Sequence, residues 1–390
     1  MSIDRLTDSL SSHLDKAVAA GLAGTVAAVT VDGQTVFEGA SGVRTMGQPA
    51  PMTGDTVLMI FSMTKAITGA AAMQLVERGQ LTLDGPAADV LPELGGLEVL
   101  EGFAPDGTPQ LRPARTPVTL RHLLAHTSGF VYDMWDARLT QYLAVSGRPG
   151  FGTMQKDAYR VPLMFEPGTQ WEYGIGIDWA GLLVEAATGT TLGRYCAEHL
   201  FEPLGMHDTG FAPTPSMAER MASLHLPTPD GVVPFEMPAP EAPEFEMGGG
   251  GLLSTVHDYL RFSNAILNGG ELHGVRVLAA DTVATMSANA MGDVDVVPLV
   301  SENPMLTLDA DFFPAMRSKW GLTFLINTER SPQGRPAGSL AWAGLANSFY
   351  WIDPVNRVCG VWATQLLPFF YPTAIEGFRT FETAFYDALG

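Results

Sequence analysis

Strand-forming runs stand at both ends of this chain, and they restrict the fold to a sheet assembled from both termini around an inserted middle. Near the start, residues 25–31 and 34–39 flank Asp32-Gly33, a pair suited to a two-residue hairpin turn because both residues tolerate positive φ. Near the end, residues 321–327, 340–343, 348–352 and 358–364 read as further strands, and residues 373–389 as a closing helix. Ahead of the hairpin, Ile3, Leu6, Leu10, Leu14 and Val18 recur at spacings of three and four, which predicts an amphipathic helix over residues 4–20, ended by Gly21 and Gly24. The middle is rich in proline and glycine, with helical stretches near residues 117–126, 176–188, 191–200 and 255–268. Its proline-dense residues 227–243 read as an ordered surface connection. The pattern predicts an α+β fold, with an α/β subdomain from residues 1–80 and 316–390 and a mostly helical subdomain with long loops from residues 81–315.

Charge narrows the partners. The chain carries 42 acidic and 22 basic residues, a net −20, which repels nucleic acid and anionic membranes. Hydrophobic residues make up 46%, enough for a large interior, but no apolar run is long enough to span a bilayer. The first residues lack a basic start, an apolar core and a small-residue cleavage site, so no secretory signal is predicted. Two distant cysteines, Cys196 and Cys359, provide neither a disulfide framework nor a zinc site. These observations predict a soluble, cytoplasmic protein without metal or organic cofactor, acting on a small molecule. Its oligomeric state is open.

Several hydrolytic machines are absent. No serine lies in Gly-x-Ser-x-Gly, and there is no His-Glu-x-x-His, no phosphate-binding Gly-x-x-x-x-Gly-Lys and no paired Cys-x-x-Cys. The glycine run at residues 248–251 does not fit a dinucleotide fingerprint and reads as a tight turn before a helix starting at Ser254 or Thr255. What remains is Ser62-Met63-Thr64-Lys65, on a helical stretch with Ser62 at the N-cap and Gly79 just past the end. Positions three apart share a helix face, so Lys65 can reach the Ser62 hydroxyl and take its proton. Amides at a helix start can stabilise an oxyanion. For that role the lysine must titrate near pH 7, which burial among Ala66, Ile67 and Ala70 favours. With 18 serines and four lysines the spacing alone is weak, and Thr153-Met154-Gln155-Lys156 shows how readily a similar string arises.

Six ordered segments strengthen it: Phe61-Ser62-Met63-Thr64-Lys65, Leu123-Leu124-Ala125-His126-Thr127-Ser128-Gly129, Phe165-Glu166-Pro167-Gly168, Tyr173-Gly174-Ile175-Gly176-Ile177-Asp178, Gly249-Gly250-Gly251-Leu252-Leu253-Ser254-Thr255 and Trp342-Ala343-Gly344. In these the chain resembles the serine β-lactamase and penicillin-binding-protein superfamily, most closely its class C-like branch and the family VIII carboxylesterases. The resemblance implies a β-lactamase-like fold with the active site in a cleft between the two subdomains. It implies that Ser62 is the nucleophile, Lys65 its base and Tyr173 a second proton-transfer group. It places the oxyanion hole at the amides of Ser62 and Leu345, beside Gly344, with the Trp342 indole shaping the pocket wall. Asp178 is implied as a helix-start or supporting residue, Tyr132 and Trp135 as wall residues of the acyl or alcohol pocket, and His126 as a turn residue without a catalytic role.

Two departures bear on the substrate. Trp342 stands where lactamases place a lysine, removing the cation that holds a lactam or peptide carboxylate. Ile175 stands where an asparagine would bind an amide side chain. The expected activity is hydrolysis of short-chain carboxylic esters through an acyl-enzyme. The alternatives are a β-lactamase or D-amino-acid peptidase, an acyltransferase of the same superfamily and, more distantly, a non-catalytic binder or sensor.

Overall fold

The computed structural model describes residues 3–238 and 240–390. Met1, Ser2 and Ala239, which fall in the N-terminal and proline-rich stretches read above, lie outside the described residues, as do the side chains of Ile3 and Asp4. The elements that build the site, in chain order, begin with α1 (Ile3–Ala19), β1 (Gly24–Val31), β2 (Gln34–Gly42) and α2 (Thr64–Glu77). They continue with α3 (Gly176–Thr188), α4 (Val256–Leu267), β3 (Ser318–Trp320), β4 (Leu325–Asn327) and β5 (Leu340–Gly344). The last are β6 (Ser348–Asp353), β7 (Val358–Ala363) and α5 (Pro372–Leu389).

Seven strands form one sheet in the order β3-β4-β5-β6-β7-β1-β2, and every neighbouring pair is antiparallel. The first and last parts of the chain meet where β1 pairs with β7, Val26 opposite Ala363. Asp32 and Gly33 turn the β1–β2 hairpin with φ of +49° and +74°, the left-handed geometry for which the dipeptide is suited. The fold is β-lactamase-like, a mixed α+β architecture with a large antiparallel sheet and flanking helices.

Side chains alternate across the strands, which sets what each face buries. On β6, Phe349 faces α5 and stacks on Phe378 at 4.3 Å, nearly parallel. Its neighbour Tyr350 points the other way and meets Tyr259 of α4 at 4.9 Å. Helices α1 and α5 therefore cover one face and α4 the other, where Thr30 of β1 bonds Asn264. A continuous apolar core joins the sheet, these helices and the helices of the middle segment.

Several sequence expectations change in detail. The stretch read as one strand over residues 321–327 is strand only at Leu325–Asn327, β4; residues 321–324 form the turn that joins it to β3, with Thr323 at φ +83°. The helix near residues 117–126 shrinks to Leu120–Leu124, capped by Thr119 and ended where His126 takes φ +57°. Residues 227–243, read as a plain connection, begin inside a hairpin of Leu224–Thr228 with Gly231–Phe235. Pro227 and Pro234 are tolerated there because a two-stranded ribbon leaves outer edges that need no donor. The helix at residues 191–200 is Leu192–Cys196 followed by one wide π turn, Ala197–Phe201.

A buried ion pair ties the β4–β5 connection to α5: Arg335 Nε lies 2.6 Å from Glu382 Oε1, both side chains almost wholly buried. Arg335→Met strands a buried carboxylate, and urea unfolding is expected to show a loss of about 3–5 kcal/mol. A loss below about 1 kcal/mol would contradict that assignment.

Candidate active site

Ser62 and Lys65 meet at the start of α2. The chain arrives through Phe61, whose left-handed φ of +42° redirects it into a single 3₁₀ turn, Phe61–Met63, before the helix begins. Ser62 is therefore not the N-cap; Met63 takes that position and no side chain caps the helix. This position matters chemically, because a capping serine would spend its oxygen on a backbone amide. Here that oxygen instead accepts from Lys65 Nζ at 3.1 Å. The turn is pinned from α4, where the Tyr259 hydroxyl donates to Met63 O at 2.9 Å, and from the glycine run, where the Leu252 amide donates to Thr64 Oγ1 at 3.1 Å.

Lys65 is fully buried. Its nitrogen donates to Gly249 O at 2.6 Å and Tyr132 Oη at 3.1 Å as well as to Ser62, which matches the three protons of an ammonium. The rings of Tyr173 and Tyr132 lie 4.7 and 5.1 Å from it. Burial pushes its pKa from 10.5 down to about 7, against the opposing field of the Asp178 carboxylate. Holding it in that state costs roughly 5 kcal/mol, the linkage equivalent of such a displacement.

Asp178 stands in the first turn of α3, fully buried, and accepts from the Gly249 amide at 2.8 Å and the Tyr132 hydroxyl at 3.3 Å. Burial raises its carboxyl above the ordinary range while Lys65 pulls it back. Gly249 thus serves both charges, its amide the carboxylate and its carbonyl the lysine. Only glycine fits, since a Cβ there would come 2.4 Å from Asp178 Oδ2. The glycine run was the one signal of this role in the sequence, where it reads only as a turn.

Tyr132 is likewise more than a wall residue. Burial and Asp178 raise its phenol well above 10, so it stays protonated, accepting from Lys65 and donating to Asp178. Tyr173 is buried with its hydroxyl facing Ser62 and accepting from the Trp342 indole at 3.0 Å. An adjacent ammonium by itself lowers a phenol pKa. Burial instead holds it well above 10, despite hydrogen bonds with Ser62 and Trp342. The Trp342 indole therefore orients Tyr173 as well as lining the pocket. His126 packs behind Tyr173 at 4.6 Å between ring centroids, and burial and Lys65 hold it neutral.

Strand β5 delivers the rest. A Cβ on Gly344 would lie 2.3 Å from Ile60 O, so the glycine lets the strand end press against the segment leading into Ser62. That contact brings Leu345 to a cavity of about 10 Å³ bordered by Ser62, Trp135, Tyr173, Trp342 and Gly344. The sequence-derived residues Ser62, Lys65, Tyr173, Asp178, Tyr132, Trp135, Trp342, Gly344 and Leu345 thus converge on one place. Among the described residues, no cluster of three or more His, Cys, Asp or Glu could hold a metal ion, and no helix is long and apolar enough to cross a membrane.

Comparison with known proteins agrees with this architecture. Residues 10–376 match the family described as Beta-lactamase. Lovastatin esterase of Penicillium rubens is 32% identical over 355 residues, 87% of this chain and 88% of its own. Monacolin J acid methylbutanoyltransferase of Aspergillus terreus is 32% identical over 352 residues, 87% of this chain and 84% of its own. A mutant simvastatin synthase from Aspergillus terreus superposes with a TM-score of 0.83 at 30% identity, covering 97% of this chain and 96% of that one. EstCE1, a hydrolase with promiscuous acyltransferase activity, shares the fold at a TM-score of 0.76 and 21% identity.

The charge arrangement fixes the sign of its pH response. With its folded pKa below the unfolded 10.5, Lys65 penalises the fold in full below about pH 7, and stability is regained as pH rises from there towards 10.5. Asp178→Asn removes the field that favours the ammonium, so NMR titration of labelled Lys65 is expected to give a pKa below that of the wild type. An unchanged or raised value would refute the coupling.

Proposed function

The chain belongs to the beta-lactamase family, an enzyme family of serine hydrolases, and we propose that it cleaves short-chain carboxylic esters through an acyl-enzyme on Ser62. The observation that carries this reading is a fully buried lysine with its nitrogen 3.1 Å from the Ser62 hydroxyl and its pKa pushed to about 7. A base titrating near the working pH is half available and still strong enough to take the proton.

Neutral Lys65 removes the Ser62 proton as Oγ attacks the ester carbonyl. The developing oxyanion is met by the amides of Ser62 and Leu345. Tyr173, kept protonated by its surroundings, gives its proton to the departing alkoxide, and the phenolate left behind faces the new Lys65 ammonium. Water then loses a proton to that phenolate and attacks the acyl carbon, while the ammonium returns its proton to Ser62 as the acid leaves. Lys65 is the primary base because Tyr173 begins as a phenol. Tyr132 and Asp178 hold the amine in place and Trp342 holds the phenol.

Esters are favoured over lactams and peptides because Trp342 and Ile175 replace the polar groups that would bind the latter. This is the reading typical of a family VIII carboxylesterase. Acyl transfer to an alcohol is the second reading, supported by the name of the 32% identical Aspergillus methylbutanoyltransferase. Both share the first half-reaction.

On p-nitrophenyl butyrate, Ser62→Ala is expected to abolish turnover, and Lys65→Ala and Tyr173→Phe to lower kcat/KM by about 10²-fold or more. The wild-type kcat/KM is expected to rise through about pH 7 and level off above it. Full ester turnover by Ser62→Ala would overturn the proposal. Faster hydrolysis of a chromogenic cephalosporin than of the ester would reassign the substrate, and ester product formed from an added alcohol in preference to acid would select the transferase reading.

A further inference from the structure

Two walls of the catalytic cavity are joined, one residue away from it, by a pair of acids. Trp135 and Tyr173 both border that cavity, and their rings meet edge to face at 5.4 Å. Asp136 follows Trp135 in the chain and Glu172 precedes Tyr173. The two acids face each other across the seam: Glu172 is hydrogen-bonded to Asp136, and a single guanidinium serves both. That group is Arg138, whose Nη2 is bonded to Asp136 and lies 3.6 Å from Glu172 Oε2. Asp136 belongs to the helix Ala137–Ser146, which it caps by accepting from the Arg138 amide at 2.7 Å and the Leu139 amide at 3.0 Å. Tyr173 is held independently. Trp342 bonds its hydroxyl, and the Glu172 and Gly174 amides to either side donate to His126 O and Nδ1 at 3.0 and 3.3 Å. The Trp135 ring has no such anchor, because its indole N–H is buried without a hydrogen-bond partner.

Building on the ester-hydrolase reading, we propose that Glu172 is a positioning residue that sets substrate size: its hydrogen bond to Asp136 holds Trp135 against Tyr173, and loss of that bond's proton releases the Trp135 wall. A carboxylic acid binds a neighbouring carboxylate, whereas two carboxylates repel. Burial, and then the Asp136 charge, push the Glu172 carboxyl up to about 8, with Arg138 opposing them. Asp136 and Arg138 are the charged groups that face it from the helix and its cap. On the other side His126 is held neutral, and the Tyr173 phenol, which faces Ser62, keeps its proton. At neutral pH the seam therefore holds its proton and the wall is shut over a cavity of about 10 Å³. Above about pH 8 the proton is lost, and the Arg138 guanidinium, already bonded to Asp136, offsets the repulsion only in part. The helix and Trp135 then part from Tyr173. Since the departing alkoxide takes its proton from Tyr173, the room gained beside that phenol goes to the alcohol portion of the ester. Ser62, Lys65 and Tyr173 keep their own partners throughout, so a small ester is turned over equally with the wall shut or open.

Fluorine NMR of the full chain labelled with 5-fluorotryptophan reads the wall directly, the Trp135 resonance being assigned by its absence from Trp135→Phe. In the wild type that resonance is expected to shift with a midpoint near pH 8. Glu172→Gln, whose amide donates to Asp136 at every pH, is expected to lose this step. Asp136→Asn, which still caps the helix, is expected to move the midpoint to lower pH. In turnover, the kcat/KM ratio of cyclohexylmethyl butyrate to ethyl butyrate is expected to rise about tenfold as the wild type passes through this step, and to stay flat in Glu172→Gln. A Trp135 resonance that does not titrate near pH 8, or that titrates identically in Glu172→Gln, overturns the proposal, as does a flat ratio in the wild type. Undiminished hydrolysis by Ser62→Ala overturns instead the hydrolase reading, while the resonance still decides whether Glu172 holds the wall.

Discussion

A lysine amine buried without exposure is the costly feature around which the site is arranged. Water would hold its proton; the interior does not, and the resulting fall in pKa to about 7 turns a cation into a base. The site keeps the ammonium form within reach by surrounding Lys65 with a carbonyl, two hydroxyl groups and two aromatic faces. Asp178 prevents the pKa from falling further. The balance is narrow, because deeper burial alone would leave an amine too weak to accept the proton and a nearer carboxylate would keep it charged.

Several parts of the chain exist in their observed form to maintain that balance. The glycine run must approach Asp178 and Lys65 with bare backbone, and Gly249 satisfies both. Tyr259 and Thr64 fix the turn so that the Ser62 oxygen faces inward. On the opposite side, the Trp342 indole donates to the Tyr173 phenol and fixes it without adding a cation to the site. The same tryptophan stacks on Phe312 and borders a second cavity, so the Tyr173 hydrogen bond and that cavity share one side chain.

Much of this arrangement was legible in the sequence where the signal was local. The hairpin at Asp32-Gly33, the helix over residues 176–188 and the closing helix lie where periodicity and turn chemistry placed them. Ser62 and Lys65 share a helical face through spacing alone. The resemblance to known motifs brought in Tyr173 and the strand ending at Gly344. Errors fell where a local preference met a tertiary demand. Ser62 has the chemistry of a cap, but the left-handed Phe61 and the pull of Lys65 turned it to another use.

The sequence by itself determined the sheet built from both ends and the Ser62–Lys65 spacing, because each is carried by the pattern of residues close in the chain. Tertiary structure decided how Tyr132, Asp178, Gly249 and Trp342 act, since their partners are distant in sequence and hydrogen-bond geometry has no periodic signature. It also decided the lysine's pKa. Burial is a property of everything packed around a residue, and no spacing within the chain encodes it.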